Sequence, residues 1–453
     1  MVKSMTDPYE VKPLDKPPYC KVQVPGSKSI TNRALILAAL AQPSELSGLS
    51  TQDSALRTSA SILENALRSD DTEVMIDSLQ RLGIAVEADW ANNRITVPCT
   101  PISKWNKNVE LFCGNSGTTI RFLTAMLCVG EGTYRLDGVA RMRERPIGDL
   151  VESLQQLGVD IRCENNNGCP PIILNARGLS GGKMTVRGNI SSQYLSALMM
   201  ASPYAKAPVS IVTQGTLVSW SYVLMTLAAM HRWGVNVDGG HEACRRFAKN
   251  PTQPGGLIII MPQTYEAGKH LIEADASSAS YFWAAAAITG GSIGVPGLDM
   301  SEQGDMEFYH ALLKMGCFDS AMYTITGNAL HGIEIDMNNF SDTVMTLAVV
   351  ALFAEGPTKI TNVAHIRHKE TDRIAALATE LRKVGAEIEE HPDGLTIHPR
   401  PLHGAILDTY DDHRMAMSLA LIGLKIPGIF IRNPGCVAKT FPSYWHTLEN
   451  LRQ

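Results

Sequence analysis

The strongest constraint on this chain is that it repeats one local plan six times. A small polar turn leads into an apolar run of helical length, then Gly or Pro, then a β-prone run. The copies begin at Gly26 (GSKSITNRALILAALA), Gly114 (GNSGTTIRFLTAML), Asn189 (NISSQYLSALMM), Asp275 (DASSASYFWAAAAITGG), Asn338 (NNFSDTVMTLAVVAL) and Asp408 (DTYDDHRMAMSLAL). Between most copies lies a second pattern: an amphipathic helix, a bulky residue plus Gly, then a strand, a polar turn and another strand. It ends its helices at Gly83, Gly158 and Gly385, and more weakly at Gly234 and Gly316, where a left-handed cap residue is wanted. Helices of the first kind are apolar nearly all round and belong between layers; those of the second kind carry one apolar stripe and belong on a surface. Six such units exceed what one core accommodates in 453 residues, so the expectation is two α/β lobes of three repeats each. An open repeat array is the alternative, disfavoured because the period is long and varied.

Composition narrows the function classes. The chain is 45% hydrophobic and 19% charged with a net charge of −5, so as a whole it is not built to seek nucleic acid or a membrane surface. Any cationic site must be local. Nine cysteines without pairwise spacing suit free thiols in a reducing compartment, and Cys163 and Cys169, the closest pair, do not form a zinc signature. No apolar run reaches the roughly 18 residues of a membrane span. The N-terminal stretch is mixed in charge and ends in prolines, unlike a signal or transit peptide, which makes the cytoplasm the default location.

The repeated turns carry the chemical signal. VPGSKSITNR, from Val24 to Arg33, resembles a phosphate loop but lacks its glycine spacing. Ser, Thr, Asn, Asp and Gly at helix starts cap free N–H groups. Cations there are a different matter, because a helix N-terminus already carries about half a positive charge. Lys28 and Arg33 flank the first start, Arg121 the second and Arg414 the last, a pattern that an anionic ligand would stabilise. Two further basic groups agree. Arg141, Arg143 and Arg145 alternate, and would share one face if extended. Lys369 and Arg373 are four apart, a like-charge pair that costs helix stability unless an anion bridges it. An ordinary solvated basic face explains either group alone. Together they point to ligands with several anionic groups. Asp342 and Glu370 lie in this basic context, and spacing does not decide between ion pairing and acid–base work. Asp408, Asp411, Asp412 and His413 are an incomplete metal set.

PGSKSITNR, GNSGTTIRFL, RMRERPI, SSQYLSAL, HKETDRI, DDHRMAM and AKTFPSYW, in that order along nearly the whole chain, resemble the 5-enolpyruvylshikimate-3-phosphate synthase family. The TIRFLT form is similar to the version within the fungal pentafunctional AROM polypeptide, which would make the chain one domain covalently linked to others of the shikimate pathway. The resemblance implies an α/β fold of two lobes, an inside-out α/β barrel with six repeats. The lobes would be 24–270, and 1–23 plus 271–453, with hinges near 21–25 and 270–275, closing when shikimate 3-phosphate binds. It implies transfer of the enolpyruvyl group of phosphoenolpyruvate to the 5-hydroxyl of shikimate 3-phosphate, with release of phosphate and without a metal or other cofactor. It also implies inhibition by glyphosate.

Carried onto matching positions, the resemblance assigns Lys28, Asp342 and Glu370 to catalysis. Ser29, Arg33, Ser191, Ser192, Gln193, Ser219, Tyr222 and Lys369 would hold shikimate 3-phosphate. Lys28, Gly117, Arg141, Gln193, Arg373, Arg414 and Lys439 would hold phosphoenolpyruvate. Phe122 and His365 depart from the family pattern, which has Pro and Asn there in many members, and QPSELSGLSTQDSALRT from Gln42 to Thr58 reads as an inserted surface loop. A same-fold enolpyruvyl transferase acting on a nucleotide sugar, and a non-catalytic phosphate-binding module, are the alternatives.

Overall fold

A computed structural model describes residues 6–43, 59–238, 256–299 and 301–452. From residue 44 onward the expected inserted loop lies outside the described residues. Contacts divide the chain into two units. One joins Met1–Pro25 to Glu273–Gln453, and the other is the continuous stretch Gly26–Ile272. Each has its own hydrophobic core.

The six repeats appear as six small sheets, three in each unit, built to one plan: a parallel pair extended by antiparallel strands. In the continuous unit, Val109–Phe112 runs parallel to Glu131–Asp137, which pairs antiparallel with Ile172–Arg177 and that strand with Asp160–Cys163. Gly182–Arg187, Val209–Gln214 and Leu257–Ile260 form the second sheet. The third begins with Lys269–Leu271, parallel to Ala60–Glu64, and continues through Arg94–Pro98 to Glu87–Asp89. In the other unit the parallel pairs are Glu334–Asp336 with Thr358–Thr361, Ala405–Leu407 with Ile429–Ile431, and Tyr19–Lys21 with Ser292–Gly294.

An apolar helix bridges the two members of a parallel pair, because parallel neighbours need a long crossover. Gly117–Leu127, Ser192–Ala201, Val344–Ala351 and His413–Ala420 do this directly. Lys28–Leu40 and Ala276–Thr289 precede one strand of their pairs, and the other strand comes from the far end of the continuous unit or from before that unit. The all-apolar pattern has the expected result: in Ala276–Thr289 every residue but the last is buried. Each large apolar side chain so buried contributes roughly 1.5–3 kcal/mol. The striped helices are half-buried as anticipated, with Met75, Ile76 and Leu79 forming the inward stripe of Asp70–Arg81. Gly83, Gly158 and Gly385 all take positive φ just past their helices, where a Cβ would be strained. Among the described residues no helix is long and apolar enough to cross a membrane.

Candidate active site

The sequence-selected residues form one group in each unit. In the continuous unit, Lys28 is the first residue of its helix, and Ser27 before it makes no side-chain cap. The Lys28 ammonium lies 3.3 Å from the Asp71 carboxylate. Asp71 sits in the acidic first turn of Asp70–Arg81, whose start is closed by a capping box at Ser69 and Thr72. Five residues along, Arg33 is nearly wholly buried. It donates to Thr226 Oγ1 (2.7 Å), Ser29 O (2.9 Å) and Tyr222 O (3.0 Å), and packs over the Phe122 ring at 5.3 Å. Burial pulls its pKa down to about 10, still well charged near neutrality. Phe122 is thus part of the arginine's wall.

Two capped helix starts complete this group. Ser116 accepts from Thr119 N, and Ser191 accepts from Gln193 N. Gln193 is held from both ends: its amide donates to Thr118 Oγ1 (3.2 Å), and its carbonyl accepts from the Arg121 guanidinium. Arg121 also donates to Pro146 O, the carbonyl that accepts from Tyr194 OH. Gly117 opens its helix against two arginines. A Cβ there would stand 2.6 Å from Arg145 Nη2 and 3.1 Å from Arg121 Nη1. Ser219, at φ 50°, precedes the helix that carries Tyr222, and its carbonyl accepts from Tyr222 N. Ser192 is buried as the first residue of its helix.

The three alternating arginines correct the extended reading. Ala140–Glu144 is a 3-10 turn, in which Val139 O accepts from Met142 N and Arg143 N, so the side chains diverge. Arg141 is half-exposed and pairs with Glu144 at 2.9 Å; Arg143 takes Asp137 at 2.7 Å; Arg145 is buried and donates to Asn115 O. The turn is held by the Val139 O bonds and the Arg143–Asp137 pair, and Arg145, ahead of Pro146, returns to extended backbone.

In the second unit the cations and acids interlock. Arg373, 1% exposed on its side chain, donates Nε to Asp412 Oδ2 (2.8 Å), Nη1 to Asp342 Oδ1 (3.1 Å) and Nη2 to Glu370 Oε2 (3.0 Å). Arg414 reaches the other Asp342 oxygen at 2.7 Å, and Lys439 lies 3.3 Å from Glu370 Oε1. Burial pushes the Arg373 pKa down, and the charges of Asp412, Glu370 and Asp342 more than reverse it, so the group is locked in its charged form. Three cations thus face three carboxylates.

The like-charge pair is resolved differently from a helix repeat. The helix Arg373–Lys383 begins at Arg373 itself, capped by Asp372, while Lys369 lies outside it. The bridging anion is Asp342, 3.1 Å from Arg373 and 4.0 Å from Lys369. Asp305 is a further neighbour that no spacing signal pointed to. Burial first, then the Asp342 charge, raise its pKa to about 7, and it accepts a hydrogen bond from Ser277. Asp412 caps Arg414 N and clamps Arg373 at once. The incomplete metal set disperses. Asp408 pairs with Lys383 and Arg432, Asp411 accepts from Asn433, and Asp412 takes Arg373. Among the described residues no group of three or more His, Cys, Asp or Glu is arranged to hold a metal ion.

Known proteins resemble the chain along nearly its whole length. The sequence profile of EPSP synthase (3-phosphoshikimate 1-carboxyvinyltransferase) matches residues 16–448. A 3-phosphoshikimate 1-carboxyvinyltransferase of Nostoc punctiforme is 45% identical, over 97% of this chain and 98% of its own. The chloroplastic protein of that name from Arabidopsis thaliana is 44% identical over 95% of this chain and 82% of its own. A solved EPSP synthase of Acinetobacter baumannii superposes with a TM-score of 0.76 over 98% of both chains at 22% identity, which shows the shared fold. With the profile spanning almost every residue and relatives this similar at full length, the chain belongs to the EPSP synthase family.

Proposed function

We propose that this protein is a transferase that moves the enolpyruvyl (carboxyvinyl) group of phosphoenolpyruvate to the 5-hydroxyl of shikimate 3-phosphate and releases phosphate. The observation that carries the reading is the buried guanidinium of Arg373 holding Asp342 and Glu370 at 3.1 and 3.0 Å, amid Lys369, Arg414 and Lys439. Both substrates bear phosphate and carboxylate groups, for which such a cation set is the suited chemistry. The addition step needs the hydroxyl to lose a proton while the methylene carbon of phosphoenolpyruvate gains one. The tetrahedral product must then lose a proton and phosphate. Oriented carboxylates and an ammonium serve both steps.

In this reading Asp342 holds the attacking hydroxyl, and Glu370 and Lys28 take part in the proton movements. Ser29, Arg33, Ser191, Ser192, Gln193, Ser219, Tyr222 and Lys369 bind shikimate 3-phosphate. Gly117, Arg141, Gln193, Arg373, Arg414 and Lys439 bind phosphoenolpyruvate. Glyphosate occupies the phosphoenolpyruvate pocket and inhibits competitively, in the micromolar range as an order of magnitude. The lobes 24–270 and 1–23 plus 271–453 are the functional halves. The reaction belongs in the cytoplasm, a setting that suits the eight described cysteines, all free thiols. Covalent linkage to other shikimate-pathway domains, as in the fungal AROM polypeptide, rests on the TIRFLT segment from Thr119 to Thr124; sequencing the full transcript tests it.

Phosphate release measured with both substrates present tests the activity. Release should need both, and stop when either is withheld. Release only with a nucleotide sugar in place of shikimate 3-phosphate would transfer the protein to the cell-wall branch of the fold. Binding without turnover would leave a phosphate-binding module.

A further inference from the structure

Asp342 and Glu370 sit on separate segments of one unit, and neither lies within a regular helix. Asp342 is in the 3-10 stretch Asn338–Thr343, which is broken by the non-helical backbone of Phe340 (φ −131°, ψ 42°). Lys369 and Glu370 follow the 3-10 turn Ala364–His368 and precede the helix that starts at Arg373. The parallel ladder of Glu334–Asp336 with Thr358–Thr361 ends before both segments, at Asp336 and Thr361. Beside the Lys369–Asp342 ion pair at 4.0 Å, a buried side-chain bond joins the two segments. His365, 5% exposed, has its Nε2 2.9 Å from the hydroxyl of Ser341, the residue just before Asp342.

We propose that His365 is a positioning residue, which through Ser341 sets where the Asp342 carboxylate stands relative to Glu370 and Lys369. The inference rests on the enolpyruvyl-transfer reading and names a further determinant of that site. A buried histidine satisfied by a serine is ordinary in a protein core. Here, however, its partner is adjacent in sequence to a carboxylate with tight demands: Asp342 must meet Arg373 at 3.1 Å and Arg414 at 2.7 Å while remaining 4.0 Å from Lys369. A shift of about 1 Å in such a group costs on the order of a hundredfold in rate. The ring works as a neutral link. Burial first, then the Lys369 charge, hold its pKa down to about 3, so one nitrogen carries a proton and the other a lone pair.

Steady-state kinetics with phosphoenolpyruvate and shikimate 3-phosphate, beside thermal melts, test this on His365→Ala, His365→Gln, Ser341→Ala and the double alanine variant. The first and third should each lower kcat about tenfold or more, with KM for both substrates held within about threefold. The double variant should be no slower than the slower single one, because both remove the same link. His365→Gln should recover most of the rate, since its amide reaches about as far as the ring Nε2. If His365→Ala does not fold, Ser341→Ala and His365→Gln carry the comparison. Unchanged kcat in folded single variants, or losses that multiply in the double one, would overturn the inference alone. A rise in KM for shikimate 3-phosphate with kcat kept would also overturn it, and make His365 a substrate contact. A wild-type protein without transfer would take down the parent reading and this inference together.

Discussion

Lys28 shows how far one position is constrained. A cation at the first turn opposes the helix dipole, and Asp71 at 3.3 Å offsets that cost in a half-dry setting. Lys28→Met keeps the length and packing and removes the charge. Turnover should fall by about three orders of magnitude, the range for losing a positioned proton-transfer group, while the far-ultraviolet dichroism stays that of wild type. Near-normal turnover would remove Lys28 from the mechanism. Asp305 makes the opposite kind of statement. Its folded pKa of about 7 lies above the ordinary aspartate value, because burial and the Asp342 charge both disfavour its ionised form. Between the unfolded and folded values the native state binds the extra proton, so this residue's contribution to stability falls as pH rises from about 4 to 7. Asp305→Asn should therefore gain stability over wild type at pH 8 and lose that advantage near pH 4, as read from chemical denaturation at the two pH values. A difference that does not change with pH would show that Asp305 is already ionised in the folded protein.

At the scale of elements, the buried helices do two jobs that one pattern announces. The apolar run specifies burial, and the small polar start leaves room at the N-terminus. Four of the six starts are closed by a side-chain cap, at Ser116, Ser191, Asp275 and Asp412, whereas Lys28–Leu40 and Val344–Ala351 have none. Gly117 makes the need for room measurable. Its missing Cβ would fall 2.6 Å from the Arg145 guanidinium, which is itself tied to Asn115 O. Gly117→Ala should push Arg145 or Arg121 aside, raise KM for phosphoenolpyruvate about tenfold, a local perturbation of about 1.4 kcal/mol, and leave the melting temperature close to wild type. Unchanged KM would mean that this helix start does not face the ligand. The repeats, the burial of their helices and the glycine caps were legible because each depends on a few neighbouring residues. The ion-pair assignments were not. Which of Asp342, Glu370 and Asp412 clamps Arg373 depends on segments up to 39 residues away, and Asp305 is brought beside Asp342 by packing that leaves no periodic trace. The Arg141 turn was misread because alternation is equally compatible with a strand and with three divergent side chains on a 3-10 turn.

For the whole molecule, the two cores share no residue, and the chain enters and leaves the continuous unit once, after Pro25 and after Ile272. That makes the units unequal as folding problems. Residues 26–272 contain every strand of their three sheets, including Lys269–Leu271, which pairs with Ala60–Glu64. The other unit depends on the N-terminal stretch. Tyr9–Val11 is the edge partner of Ile429–Ile431, and Tyr19–Lys21 that of Ser292–Gly294. Val11 is fully buried against Gly423, Tyr9 packs on Trp445 with ring centroids 4.5 Å apart, and Arg452 donates to Pro13 O at 2.6 Å. Without residues 6–25, two of this unit's sheets would each lose an edge strand and a seam of core packing, an unfavourable change for sheets of only three or four strands. Expressed alone, residues 26–272 should therefore give native-like dichroism and a single cooperative melt. Residues 273–453 should fail to melt cooperatively until a peptide spanning 6–25 is added. The idea fails if 273–453 folds without that peptide, since the N-terminal strands would then be accessories to a core that closes without them.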